Sequence, residues 1–176
     1  GGFIVTNDLD IANKIKSMRN HGLIDRNVVE EFGFVSRLDS LQALILNFRL
    51  SKLGLVIEQR RQNAKAYLKA LNQDHIFFPH EDHDYFDTHH TFVVQIDKRD
   101  EAMNHLLGKG INTAIHYPIP IHLQPAAKNL GYGSGDFPIA EEQARRIVSL
   151  PINQYLKSDE IDFVATTLND FLNWCT

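Results

Sequence analysis

Cysteine is nearly absent: Cys175 is the only one in the chain. No disulfide can form within it, and such sparing use fits a reducing, cytoplasmic setting. No apolar run reaches the roughly 18–20 residues that a membrane span needs, and no signal peptide opens the chain. Dense basic stretches are missing too. With 18 Lys and Arg against 22 Asp and Glu the formal net charge is −4, which argues against nucleic acid as a partner. There is also no opening methionine and no polar lead, because Gly1-Gly2-Phe3-Ile4-Val5-Thr6-Asn7 enters directly on a strand-like run. A strand this apolar needs cover on both faces, so the expectation is a chain that begins inside a domain.

What is present is the composition of a soluble globular protein, 43% hydrophobic and 23% charged. Its 176 residues allow one domain or one and a half. The organising stretch is Gly33 to Ala43, a loop that runs into an apolar helix. Leu38, Leu41, Ile45 and Phe48 share one helical face, and Leu44, Leu46, Leu50 and Leu53 cover much of the rest. A helix apolar most of the way round is expected to be buried on several sides, in a larger core or a subunit interface. From Leu55 to about Leu71 the pattern becomes one-sided, with Ile57, Ala64, Leu68 and Leu71 against charged residues. A continuous helix over 38–71 would be about 50 Å long, so a kink or break is expected near Gly54. An element buried first and amphipathic later suits a crossing from one domain to another.

Ahead of it, Asp8 is a good N-cap for a helix through about Arg19, with Gly22 as its stop. Arg19 and His21 read as dipole partners at its C-terminal end. Leu23 to Phe32 shows no clean period and reads as loop. Beyond Asn72, Ile76-Phe77-Phe78-Pro79 reads as a short strand and Thr91–Ile96 as a strong one. Arg99 to about Leu107 reads as a helix and Ile111–Tyr117 as a further strand. Asp136 is the expected cap of a helix that ends at Ser149-Leu150-Pro151, and Lys157–Trp174 a last amphipathic helix that packs on the sheet. The fold class is α/β to α+β, with a short, mostly antiparallel sheet covered by helices.

Two polar stretches invite a functional reading. His80-x-x-His83 with His89-His90 matches no zinc spacing, and no metal site is assigned. In His116-Tyr117-Pro118-Ile119-Pro120-Ile121-His122-Leu123-Gln124, two prolines stiffen a loop at a strand end. Such a loop can hold His116, Tyr117 and His122 at fixed positions, or leave Tyr117 as packing and the histidines at the surface. Gly131 to Asp136 is glycine-rich but follows no strand, which makes it a poor phosphate cradle.

Four blocks in order, namely Gly2–Asn7, Gly33–Ala43 (G-x-x-S-R-L-D-x-L-Q-A), His116–Gln124 (H-Y-P-x-P-x-H-x-Q) and Asp136–Pro151, resemble the DegT/StrS-type sugar aminotransferases. The resemblance implies the C-terminal part of a pyridoxal 5'-phosphate (PLP) enzyme of aspartate aminotransferase fold. Residues 1–50 would be the tail of the large PLP-binding domain and 51–176 the small α+β domain. It implies amino transfer, with glutamate as donor, to a nucleotide-linked keto sugar by a homodimer. The Schiff-base lysine would lie upstream of Gly1, leaving no catalytic residue in this chain. Ser36 and Arg37 are implied at the cofactor, and Arg37, His116, Tyr117 and His122 at the substrate. One departure stands out: Val35 occupies the position of an asparagine expected to reach the cofactor phosphate across the dimer. Two alternatives are a PLP-dependent sugar dehydratase of the same family and a non-catalytic assembly module.

Overall fold

The structure is a computed structural model that describes residues 1–78 and 84–174. It divides into two units, Gly1–Leu53 and Gly54–Thr176.

In the first unit, Gly1 to Asn7 forms no strand, contrary to the sequence expectation, and Phe3, Ile4 and Val5 stand exposed. A strand exists only by pairing, and none of the described residues pairs with this segment. Helix α1 spans Leu9–Met18, and Asp8 caps it by accepting from the amides of Asp10 and Ile11 at 2.9 and 3.1 Å. The stretch read as loop contains a small antiparallel ribbon, β1 (Leu23–Asp25) with β2 (Val28–Val29), in which Leu23 faces Val29. Strands of three and two residues are too short to show a period in the sequence.

Gly33 then crosses the end of α1. A Cβ there would lie 2.3 Å from the Gly22 nitrogen and 2.6 Å from the Met18 carbonyl oxygen, so only glycine fits. Helix α2 (Ser40–Leu50) follows, its first amide group at Asp39 donating to Gln42 Oε1 at 3.3 Å. No residue of α2 is buried within the chain, and Leu41 is 69% exposed. The expected burial on several sides is therefore not met by this chain's own residues. The helix breaks at Ser51 and Lys52 rather than at Gly54, which lies inside α3 (Leu53–Ala70). Ser51 Oγ donates to the Phe48 carbonyl at 2.8 Å, a local bond that competes with continuation of the helix.

The second unit has a core of its own. Strand β3 (Phe92–Gln95) pairs antiparallel with β4 (Ile147–Leu150), Phe92 facing Leu150 and Gln95 facing Ile147. Single antiparallel bridges extend this pair, Phe77 with Gln95 and Ala114 with Ser149. Ile76–Phe78 and Ile111–Tyr117 thus contribute one bridge each instead of full strands, and Pro79 lies outside the described residues. The helices are α4 (Arg99–Gly108), α5 (Pro138–Arg146) and α6 (Ser158–Trp174), with 3-10 turns at Ile121–Leu123 and Pro125–Leu130.

Helix α5 stops at Arg146, and the residues expected to finish it form β4. The β-branched pair Ile147-Val148 favours the pleated surface, where Val148, Ser149 and Leu150 are buried. Asp136 does not cap α5. Phe137 is its N-cap, Pro138 opens the helix, and Asp136 Oδ2 instead accepts from the Gly133 amide at 2.7 Å. Helix α6 buries Ile161, Val164, Leu168, Phe171 and Leu172, the apolar positions that its period marks. Tyr67 stacks on Phe92 with ring centroids 5.0 Å apart and donates its hydroxyl to the Pro151 carbonyl at 2.9 Å. Burial, with the nearby Glu160 charge, pushes the Tyr67 hydroxyl far above its ordinary range.

Candidate functional sites in the two units

The sequence candidates fall into two groups, Ser36 and Arg37 in the first unit and His116, Tyr117 and His122 in the second. In the first unit, Arg19–Gly22 and Gly33–Arg37 are brought side by side. The Phe34 amide donates to the Met18 carbonyl at 2.7 Å, the His21 amide to the Phe34 carbonyl at 2.9 Å, and the Ser36 amide to the Arg19 carbonyl at 2.9 Å. Asn20 and Val35 face each other between those last two bonds. In such a pair the side chains share a face and lie close.

Arg37 does not pair with Asp39. Its Nε donates to Asn20 Oδ1 at 3.1 Å, and its Nη2 bonds the same oxygen. This neutral acceptor leaves the guanidinium charge uncompensated. A cleft of about 600 Å³ opens here, lined among others by Arg19, Ser36, Arg37, Gln42 and Arg49. Three guanidinium groups with no carboxylate in the lining suit an anion. Val35, 68% exposed, has no group with which to donate to one.

In the second unit, Ser149 of β4 secures the start of the proline-stiffened loop. Its amide donates to the Ala114 carbonyl at 2.7 Å, the Ala114 amide donates back at 3.2 Å, and its Oγ lies 2.8 Å from His116 Nδ1. Tyr117 projects outward, 73% exposed. His122 does the opposite: its side chain is 9% exposed and its Nε2 lies 3.0 Å from Glu141 Oε1.

Glu141, in the first turn of α5, also accepts from the Gly135 amide at 2.8 Å and from Ser134 Oγ at 3.2 Å. The Gly135 amide, the His122 ring and the Ser134 hydroxyl together hold its carboxyl below the usual carboxylate range, outweighing the opposing effect of burial. The glycine-rich stretch therefore wraps a carboxylate of the chain itself. Glu141 escaped the sequence reading because it is one of two adjacent glutamates at the start of a helix, with nothing local to set it apart. The signal that could have led to it was His122, a candidate with no acidic residue close in sequence.

A second cleft, of about 460 Å³, is lined by His75, Asp97, Lys98 and Arg146 among others, and by none of the candidate residues. Among the described residues, no group of three or more His, Cys, Asp or Glu is placed to hold a metal ion. His80 and His83 lie outside the described residues. Among those residues, too, no single helix is long and apolar enough to cross a membrane.

Comparison with known proteins places this geometry. A pleiotropic regulatory protein of Geobacillus stearothermophilus is 36% identical over 97% of this chain and 47% of its own length. The dTDP-3-amino-3,4,6-trideoxy-alpha-D-glucose transaminase of Streptomyces venezuelae is 37% identical over 89% of this chain and 42% of its own. The crystal structure of S. venezuelae DesV superposes with a TM-score of 0.85 at 34% identity, over 96% of this chain and 46% of that one. The chain thus spans about half the length of the curated relatives it matches. Its fold is that of part of a PLP-dependent aminotransferase. The profile of the DegT/DnrJ/EryC1/StrS aminotransferase family matches residues 1–169, and the chain belongs to that family.

Proposed function

We propose that this chain is the C-terminal portion of a cytoplasmic, homodimeric, PLP-dependent enzyme that transfers an amino group from glutamate to a nucleotide-linked keto sugar. The observation that carries the reading is the match over nearly the whole chain to sugar transaminases about twice as long. In this reading residues 1–50 close the large cofactor domain and residues 51–176 form the small domain.

The residues present fit the cofactor's phosphate in charge. Arg37, with Arg19 beside it, supplies cationic donors, and Ser36 supplies a hydroxyl. Val35 does not fit, having no group to donate, and the Ser36 hydroxyl beside it would have to substitute. When bound, PLP supplies the electron sink and the carrier of the amino group. Arg37 holds the anionic end of cofactor or substrate, oriented by its bonds to Asn20. The loop from His116 to Gln124 lines the sugar site, and its exposed Tyr117 meets the sugar. The lysine that bonds the cofactor belongs to the other half of the enzyme, so this chain alone does not transaminate.

The test is to isolate the polypeptide carrying this sequence from its source and measure intact mass, bound PLP and transfer of ¹⁵N from glutamate to nucleotide-linked keto sugars. The reading predicts a species about twice the 20.1 kDa of this chain that carries PLP and labels the sugar. A 20.1 kDa species alone, without PLP, would overturn it.

A further inference from the structure

We propose that Glu141 is a positioning residue for the His116–Gln124 loop, acting through His122. This rests on the reading that the loop lines the sugar site.

Glu141 joins three segments that are separate in sequence: its own helix α5, the Ser134–Gly135 turn and the 3-10 turn Ile121–Leu123. Its bonds to Ser134 and Gly135 are local, and a carboxylate folded back over a helix start would account for them alone. The bond to His122 is different, because it crosses 19 residues and both side chains are about nine-tenths buried. Burying this carboxylate is tolerable only because donors surround it. Gly135 supplies one of them by turning its amide inward at a φ of +94°, a conformation that side-chain-bearing residues avoid. On its other side the His122 ring packs at 4.7 Å on Phe137, and Phe137 meets Tyr132 edge-on at 5.2 Å.

An imidazole whose Nε2 proton is given to a buried carboxylate has no donor left on that nitrogen for a sugar hydroxyl. His122, its side chain only 9% exposed, therefore holds the loop rather than touching the ligand, whereas His116 bonds Ser149 through Nδ1 and stays exposed. Glu141 and Ser149 fix the two ends of a loop whose exposed tip carries Tyr117, Ile119 and Ile121. The sugar then meets a shape set in advance, with less ordering needed at binding.

The experiment is amide hydrogen exchange read by mass spectrometry on the full chain, comparing peptides over 117–124 and 131–137 with reference peptides in α6. E141A and H122A each accelerate exchange at least tenfold in both segments, leave α6 unchanged, and are no faster when combined. H122Q, whose terminal amide can replace the Nε2–H donor, keeps wild-type rates, a rescue that loss of bulk packing would not show. In long-range ¹H–¹⁵N spectra His122 is the Nε2–H tautomer in the wild type and loses that preference in E141A. If E141A unfolds the chain, seen as lost α6 protection, H122A makes the same test from outside α5. Acceleration confined to 131–137 in E141A, or wild-type rates over 117–124 in H122A, would overturn the proposal. No cofactor or substrate enters these measurements, so failure of the aminotransferase reading would leave the exchange rates as predicted.

Discussion

The two units carry apolar residues in similar abundance and place them in opposite ways. From Ala64 to Leu172 the second unit encloses a core in which Tyr67, Val94, Ile96, Leu106, Val148 and Leu168 are wholly buried. The first unit buries no large apolar side chain, and Leu41, Leu44, Phe48 and Leu50 of α2 all face outward. An exposed apolar face of this kind is suited to packing against further polypeptide. Within the chain the first unit is held by backbone bonds, such as those from Phe34 to Met18 and from Ser36 to Arg19, and by the Asp8 cap. The second is held by burial. A hydrophobic pattern tells that a face must be covered, and does not tell by what.

Substitution should expose this asymmetry most sharply. Leu168→Ala removes a fully buried side chain and should destabilise the second unit by about 3 kcal/mol, measured by urea denaturation. Leu44→Ala, made on the exposed face of α2, should change stability by less than about 0.5 kcal/mol. Equal losses would break the comparison.

A smaller effect is expected inside the core. Tyr67→Phe removes the bond to Pro151 and should cost about 1 kcal/mol near neutral pH. Its signature is alkaline. The Tyr67 hydroxyl keeps its proton in the folded chain above the ordinary value of 10.0, whereas the unfolded chain loses it there. Wild-type stability from this group is complete below pH 10 and falls as pH rises beyond it, and Tyr67→Phe should flatten that fall.

At Glu141 the pH-dependent effect is on the acid side. Its carboxyl ionises below the ordinary 4.5 in the folded chain. The stability it contributes is present above that value and is lost as pH falls through the lower folded one. Glu141→Gln should therefore reduce the acid sensitivity of the second unit, read as thermal midpoint against pH. An unchanged acid limb would mean that the His122 and Gly135 bonds carry no charge-dependent stability.

The sequence made some parts legible for identifiable reasons. Helix α1 shows because Asp8 precedes an apolar period, and α6 because five core positions recur at helical spacing. Strand β3 is a β-branched and aromatic run that is buried in the structure. Where local preference and tertiary pairing parted, the reading failed. Ile147–Leu150 looked like the end of a helix until β3 offered it a partner. Ile111–Tyr117 looked like a strand, yet only Ala114 found one. Among the candidate residues, the loop carrying Tyr117 was visible from its prolines. The pairing of His122 with Glu141 was not, because it spans 19 residues and depends on how the Gly131–Asp136 turn folds back. Asn20 was likewise hidden, since its link to Arg37 arises only when Gly33 crosses the end of α1.

Amide hydrogen exchange over α2 and α6 in the same intact chain tests the division most directly. An 11-residue helix without tertiary cover is marginal in water, so the amides from Leu44 to Phe48 should exchange at least a hundredfold faster than those from Val164 to Leu172. Those of α6 should open only with global unfolding. Equal protection in the two helices, at a concentration where the chain is monomeric, would contradict the account, because it would show that α2 finds its cover within this chain.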